Sequence, residues 1–127
     1  MAKKFKKEDE ERVQSYISKW RKRLYLDGWH FKTQYMVEDT PEMTFAAISA
    51  QPMYLDAVLN IFPNYWKESE KDQEQIIVHE LCHCHTQPAW DAMTDLLHGK
   101  LVTPGHQKII AETLTEYMAK IVFQDEW

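Results

Sequence analysis

Residues 76–84 run Ile-Ile-Val-His-Glu-Leu-Cys-His-Cys, an apolar stretch broken by His79, Glu80 and His83. From Lys71 to His85 there is no glycine or proline, and good helix formers dominate, so a helix is expected there. Pro88 is expected to stop it, because proline removes a backbone donor and its ring crowds the preceding turn. On a helix, positions i and i+4 share a face, one turn apart. His79 and His83 could therefore grip one Zn2+ ion, with Glu80 beside it to take a proton from a zinc-activated water. Ile76, Ile77, Val78 and Leu81 imply that the same helix is buried along one side. Cys82 and Cys84 do not add a structural zinc site, since consecutive helical residues point apart and cannot close a tetrahedron. Cys84 follows Leu81 by three positions and is expected in the core.

Upstream, two strand-like runs cover Phe45 to Met53 and Ala57 to Phe62, joined by Tyr54-Leu55-Asp56 as an antiparallel hairpin. Pro52 cannot donate to a ladder, so its strand ends there or lies at an edge. Trp29, Phe31, Thr33, Tyr35 and Val37 alternate with polar or flexible neighbours, the period of a third strand. Val13, Tyr16, Ile17, Trp20 and Leu24 form the apolar stripe of a helix from about Lys7 to Tyr25, which Asp27-Gly28 is expected to end. Downstream, a short helix is expected from about Trp90 to Leu97, closed by Gly99. A last helix follows from about His106 to Phe123, with Ile110, Leu114, Tyr117 and Ile121 as its core stripe. The expected class is α+β: an N-terminal helix, a small three-stranded antiparallel sheet, the His-Glu-x-x-His helix and a C-terminal helix.

The 127 residues suit a single domain over 1–127, with residues 1–12 a candidate flexible lead-in. Hydrophobic residues at 44% and only 3 glycines exclude disordered and collagen-like chains. Uninterrupted apolar runs such as Ile76 to Val78 are far below the roughly 20 residues of a membrane span, so no membrane role is expected. The basic N-terminus is followed by an acidic block rather than an apolar segment, so a cytoplasmic location is the expectation. Residues 1–32 carry ten basic and five acidic side chains, whereas 33–127 carry five basic and fifteen acidic. The basic leading helix, around Lys19, Arg21, Lys22 and Arg23, is the candidate contact for nucleic acid, set against a solvated face of mixed charge.

A catalytic zinc takes a third protein ligand and keeps a position open. The metzincin continuation would need glycine at 86 and histidine at 89, where Thr86 and Ala89 stand. The last helix offers Glu112 and Glu116 at i, i+4, on a stripe with Ile109, Ala119 and Phe123. On this reading Glu112 binds zinc, and Glu116 accepts a hydrogen bond from the free nitrogen of His79. His106 is the alternative ligand, His98 a weaker one, and Glu116 itself a further candidate for the third position.

His79-Glu80-Leu81-Cys82-His83 with a distal Ala111-Glu112-Thr113-Leu114-Thr115-Glu116 helix resembles the gluzincin branch of zincin-like metallopeptidases. More narrowly, the order Gly28-Trp29, hairpin, metal helix and acidic last helix resembles small single-domain proteins of that kind from bacteria and phages. The resemblance implies a zincin-like fold with His79, His83 and Glu112 as zinc ligands and Glu80 as general base. Gly105-His106 is a loose echo of SprT-like DNA-repair proteases, and the absence of cysteine before residue 82 excludes peptide deformylases. The expected function is zinc-dependent hydrolysis of peptide or protein amides. The alternative is a zincin-fold binding or regulatory module with little turnover, in one version SprT-like and DNA-associated. Ala57 to Phe62 is the expected edge strand for an extended substrate.

Overall fold

The computed structural model describes residues 6–123, with side chains through residue 121. Three helices and one sheet follow in the order α1 (Lys7–Arg23), β1 (His30–Tyr35), β2 (Ala46–Gln51), β3 (Asp56–Ile61), α2 (Glu70–Leu97) and α3 (Pro104–Phe123). A 3-10 turn over Pro63–Lys67 leads into α2. The fold is α+β. Residues 1–5 of the candidate flexible lead-in lie outside the described residues, and 7–12 form the first turns of α1.

The sheet is mixed rather than antiparallel, with strand order β1-β3-β2. The expected hairpin is present, pairing Ile48 with Leu59 in antiparallel register. β1, however, lies parallel to β3, with Phe31 opposite Ala57 and Tyr35 opposite Ile61. Period-two alternation reports which face a strand buries, not which neighbour it takes. The ten residues between Tyr35 and Ala46 let β2 reach the far edge, so β3 fills the centre. β3 is accordingly the most buried strand, through Ala57, Leu59 and Ile61. That placement also corrects the substrate edge: Ala57 to Phe62 is internal, and the free edge beside α2 belongs to β2.

The core joins Val13 and Ile17 of α1, Leu59 and Ile61 of β3, and Ile77, Leu81 and Cys84 of α2, closed by Tyr65 and Trp66. Side chains of this type each contribute roughly 1.5–3 kcal/mol on burial. Trp20 Nε1 and Lys19 Nζ both donate to Glu74 Oε2, at 2.7 and 2.9 Å, fastening α1 to α2.

Both helix ends differ from simple punctuation. α1 stops at Arg23, before Asp27-Gly28, because Tyr25 takes a left-handed conformation at φ 57°. Tyr25 N donates to Lys22 O at 3.2 Å and Leu26 N to Arg21 O at 2.7 Å, a Schellman closure built on a tyrosine. Leu26 is fully buried, and its anchorage offsets the strain at Tyr25. Pro88 does not end α2, which runs on to Leu97 and absorbs the short helix expected at Trp90. The missing proline N–H costs about 3 kcal/mol in a helix interior, but packing on both sides of it holds the path. The side chains of Gln87 and Asp91 also bond across it at 2.9 Å. Gly99, at φ 76°, closes α2 as expected. Among the described residues no helix is long and apolar enough to cross a membrane.

Candidate metal centre

Ser69 caps α2 by accepting from Asp72 N at 3.2 Å, which starts the helix three turns before the motif. Ile77, Leu81 and Cys84 point into the core, fixing the helix's rotation. His79 and His83 consequently stand one above the other on an outer face, their rings edge-on with centroids 5.0 Å apart. Ligand atoms of His79, Glu80 and His83 lie within 4.8 Å of one another, the arrangement of a cluster able to hold a metal ion. The imidazoles are open to solvent, with the His79 side chain 70% exposed, whereas the Glu80 side chain is 12% exposed.

Glu80 lies between the imidazoles and β2, with one carboxylate oxygen 3.8 Å from His79 Nε2. The Ile48 N–H faces its carboxylate and favours the charged form. Alternate residues of an antiparallel edge strand point their backbone groups outward. Phe62 N donates to Phe45 O, so Ala46, Ile48 and Ala50 are the outward ones, and Glu80 faces the central one. Burial raises the Glu80 carboxyl above the usual carboxylate range, opposed by the adjacent His83 and His79 and by the Ile48 N–H. A carboxylate held in this way is a better proton acceptor than one in water.

Thr86 Oγ1 lies 3.4 Å from His83 Nδ1 and donates to His83 O at 3.5 Å. The first of these contacts places the Thr86 hydroxyl against the Nδ1 side of the His83 ring. In sequence terms Thr86 serves only to exclude the metzincin pattern, whereas its i+3 spacing from His83 puts it on the same helix face. Two hollows flank the cluster along β2. One, of about 700 Å³, carries Met43, Phe45, Glu68 and Asp72 beside His79. The other, of about 360 Å³, carries Ile48, Trp90 and Met93 beside His83.

The remaining candidates lie elsewhere. α3 packs on α2 through Tyr117, whose ring stacks on His85 at 4.3 Å, and through Ile121. His85 is two residues from His83 and so faces another side of the helix. Ile110, Leu114, Tyr117 and Ile121 are the partly buried stripe of α3, as expected. Glu112 and Glu116 are exposed and share a separate hollow with Lys120, 4.0 Å from Glu116. The fold described here does not bring Glu112 to the imidazole pair. His106 and His98 are exposed outside the cluster. Cys84 is buried and its thiol is pushed up to about 12 by burial, consistent with a core role. In the basic helix, Lys19 is paired with Glu74, and Arg21 donates to the backbone oxygens of Asp27 and Trp29.

Comparison with protein families, curated proteins and solved structures finds no match for this chain.

Proposed function

We propose that this protein is a zincin-like metallopeptidase that hydrolyses peptide or protein amides. One arrangement carries the reading: two imidazoles one turn apart, with a buried carboxylate between them and the free edge of β2. Two imidazole nitrogens one helical turn apart suit zinc, with the Glu80 carboxylate beside them free to act as a base. When bound, zinc would polarise the scissile carbonyl and acidify water. His79 and His83 hold the ion. Glu80 accepts the proton of the attacking water and returns it to the leaving amine. The Ile48 N–H that faces it favours the charged carboxylate before that proton is taken up. An extended peptide would add to the outward backbone groups of Ala46, Ile48 and Ala50, the Ile48 N–H already facing Glu80.

Zinc binding by calorimetry, with casein cleavage as readout, tests this. Glu80→Gln should bind zinc within a few-fold of the parent and lose turnover at least about a hundredfold. Cleavage that persists in Glu80→Gln removes the hydrolase reading. A zincin-like binding module with little turnover is the second reading, favoured by the distance of Glu112 from the imidazoles. Zinc binding without any peptide cleavage supports it.

A further inference from the structure

The two hollows that flank Glu80 differ in character, and β2 supplies a direction along which to read them. His79 and Glu80 line the first hollow, next to Phe45 and Ala46 at the start of β2. Glu80 and His83 line the second, next to Ala47 and Ile48. A reacting amide at the cluster therefore has one hollow on each side. The second is floored by Ile48 and Ala89 and walled by Trp90 and Met93. Trp90 is 63% exposed and Met93 54%, a large apolar surface left uncovered next to a metal cluster. The Gln87–Asp91 hydrogen bond and the continuation of α2 through Pro88 hold that wall in place. Had the helix ended at Pro88, no wall would stand there.

A peptide laid antiparallel to β2 runs from the Gln51 end toward the Ala46 end. Antiparallel addition is the slightly more stable pairing per residue. The peptide then passes Trp90 before the cluster and Phe45 after it. Building on the hydrolase reading above, we infer that the hollow walled by Trp90 and Met93 is the subsite for a large apolar side chain. That side chain belongs to the residue on the N-terminal side of the scissile bond. Its volume of about 360 Å³ accepts a leucine, methionine or phenylalanine side chain, and its lining offers such a group no charged partner other than the cluster's Glu80 and His83.

The zinc-loaded full chain, its Trp90→Ala and Met93→Glu variants and Glu80→Gln are each given a mixed-sequence peptide library, with cleaved bonds mapped by mass spectrometry. The parent should enrich Phe, Leu and Met immediately before the cleaved bond. Trp90→Ala and Met93→Glu should each cut that preference over alanine about tenfold. Both side chains are more than half exposed, so neither change disturbs the core. In Glu80→Gln, which should hold peptide without cleaving it, the Trp90 indole N–H resonance should shift with a phenylalanine peptide and not with its alanine counterpart. Zinc- and Glu80-dependent cleavage with no such preference, with the preference intact in both variants, or with the preference after the cleaved bond overturns this inference alone. Absence of all zinc-dependent cleavage overturns the hydrolase reading together with it.

Discussion

Replacing His85 by alanine should loosen the joint at which all three helices meet. Its Nε2–H donates to Leu24 O at 2.6 Å, satisfying the carbonyl at the end of α1. Its ring also stacks on Tyr117 of α3 with centroids 4.3 Å apart. Loss of a partly buried hydrogen bond with its acceptor left behind costs about 1–3 kcal/mol. An aromatic pair adds about 0.5–1.5 kcal/mol. Water can reach Leu24 O once the half-buried ring is gone, so the low end of the first range applies. The sum is about 1.5–2.5 kcal/mol, a substantial share of the 5–15 kcal/mol typical of a domain. At about 4 °C per kcal/mol for a chain of this size, the melting temperature should fall by about 6–10 °C. Urea denaturation followed by circular dichroism measures the loss, and hydrogen exchange locates it. The α3 amides should exchange faster, because α3 is tied to the body chiefly through Tyr117 and Ile121. A loss under about 0.5 kcal/mol, with α3 exchange unchanged, would show that the joint is not a fastening point.

The same histidine gives the metal-free chain a pH dependence. Burial lowers its pKa, against the opposing pull of Leu24 O, so the unfolded chain takes up a proton first as pH falls through about 6.5. The contribution is fully present above that pH and declines below it, and His85→Gln should flatten the melting temperature between pH 7.5 and 5.5 relative to the parent. Leu81 is fully buried one residue after Glu80, so Leu81→Ala should cost about 2–5 kcal/mol in urea denaturation. A zinc affinity falling in step with that loss would show that the metal pair relies on core packing beneath it. Glu112→Ala should leave zinc affinity within about twofold by calorimetry, because Glu112 is exposed in a hollow apart from the imidazoles. A tenfold or greater weakening would mean that α3 is carried to the metal on loading.

What could be read from the chain beforehand was whatever depends on local period. Val13, Ile17 and Leu24 are buried where the helical stripe put them, and Ile110, Leu114, Tyr117 and Ile121 face inward along α3. His79, Glu80 and His83 come together because i, i+4 geometry alone brings them there. Features that depend on partners distant in sequence were not readable. The alternation in β1 could not say that its neighbour would be β3 and parallel. Glu112 and Glu116 fit an inward stripe as well as an outward one, and only the stack of Tyr117 on His85 decides which side of α3 meets α2. Pro88 and Tyr25 overrode local preference in opposite senses. One lies within a helix that tertiary packing sustains, and the other closes a helix in place of glycine. Thr86 and Trp90 acquire meaning only once α2 continues past the motif beside β2.

The placement of Glu80 against the Ile48 amide of β2 also bears on how copies of this protein treat one another. An open sheet margin invites a second molecule to dock its own strand and begin a chain of associations. Here the middle of that margin is guarded by a negative charge, and two copies meeting along it would bring like charges together in a poorly hydrated place. The group proposed to accept a proton during hydrolysis would thereby also oppose strand-to-strand pairing of copies, and neutralising it should make the protein stickier in concentrated solution as well as inert.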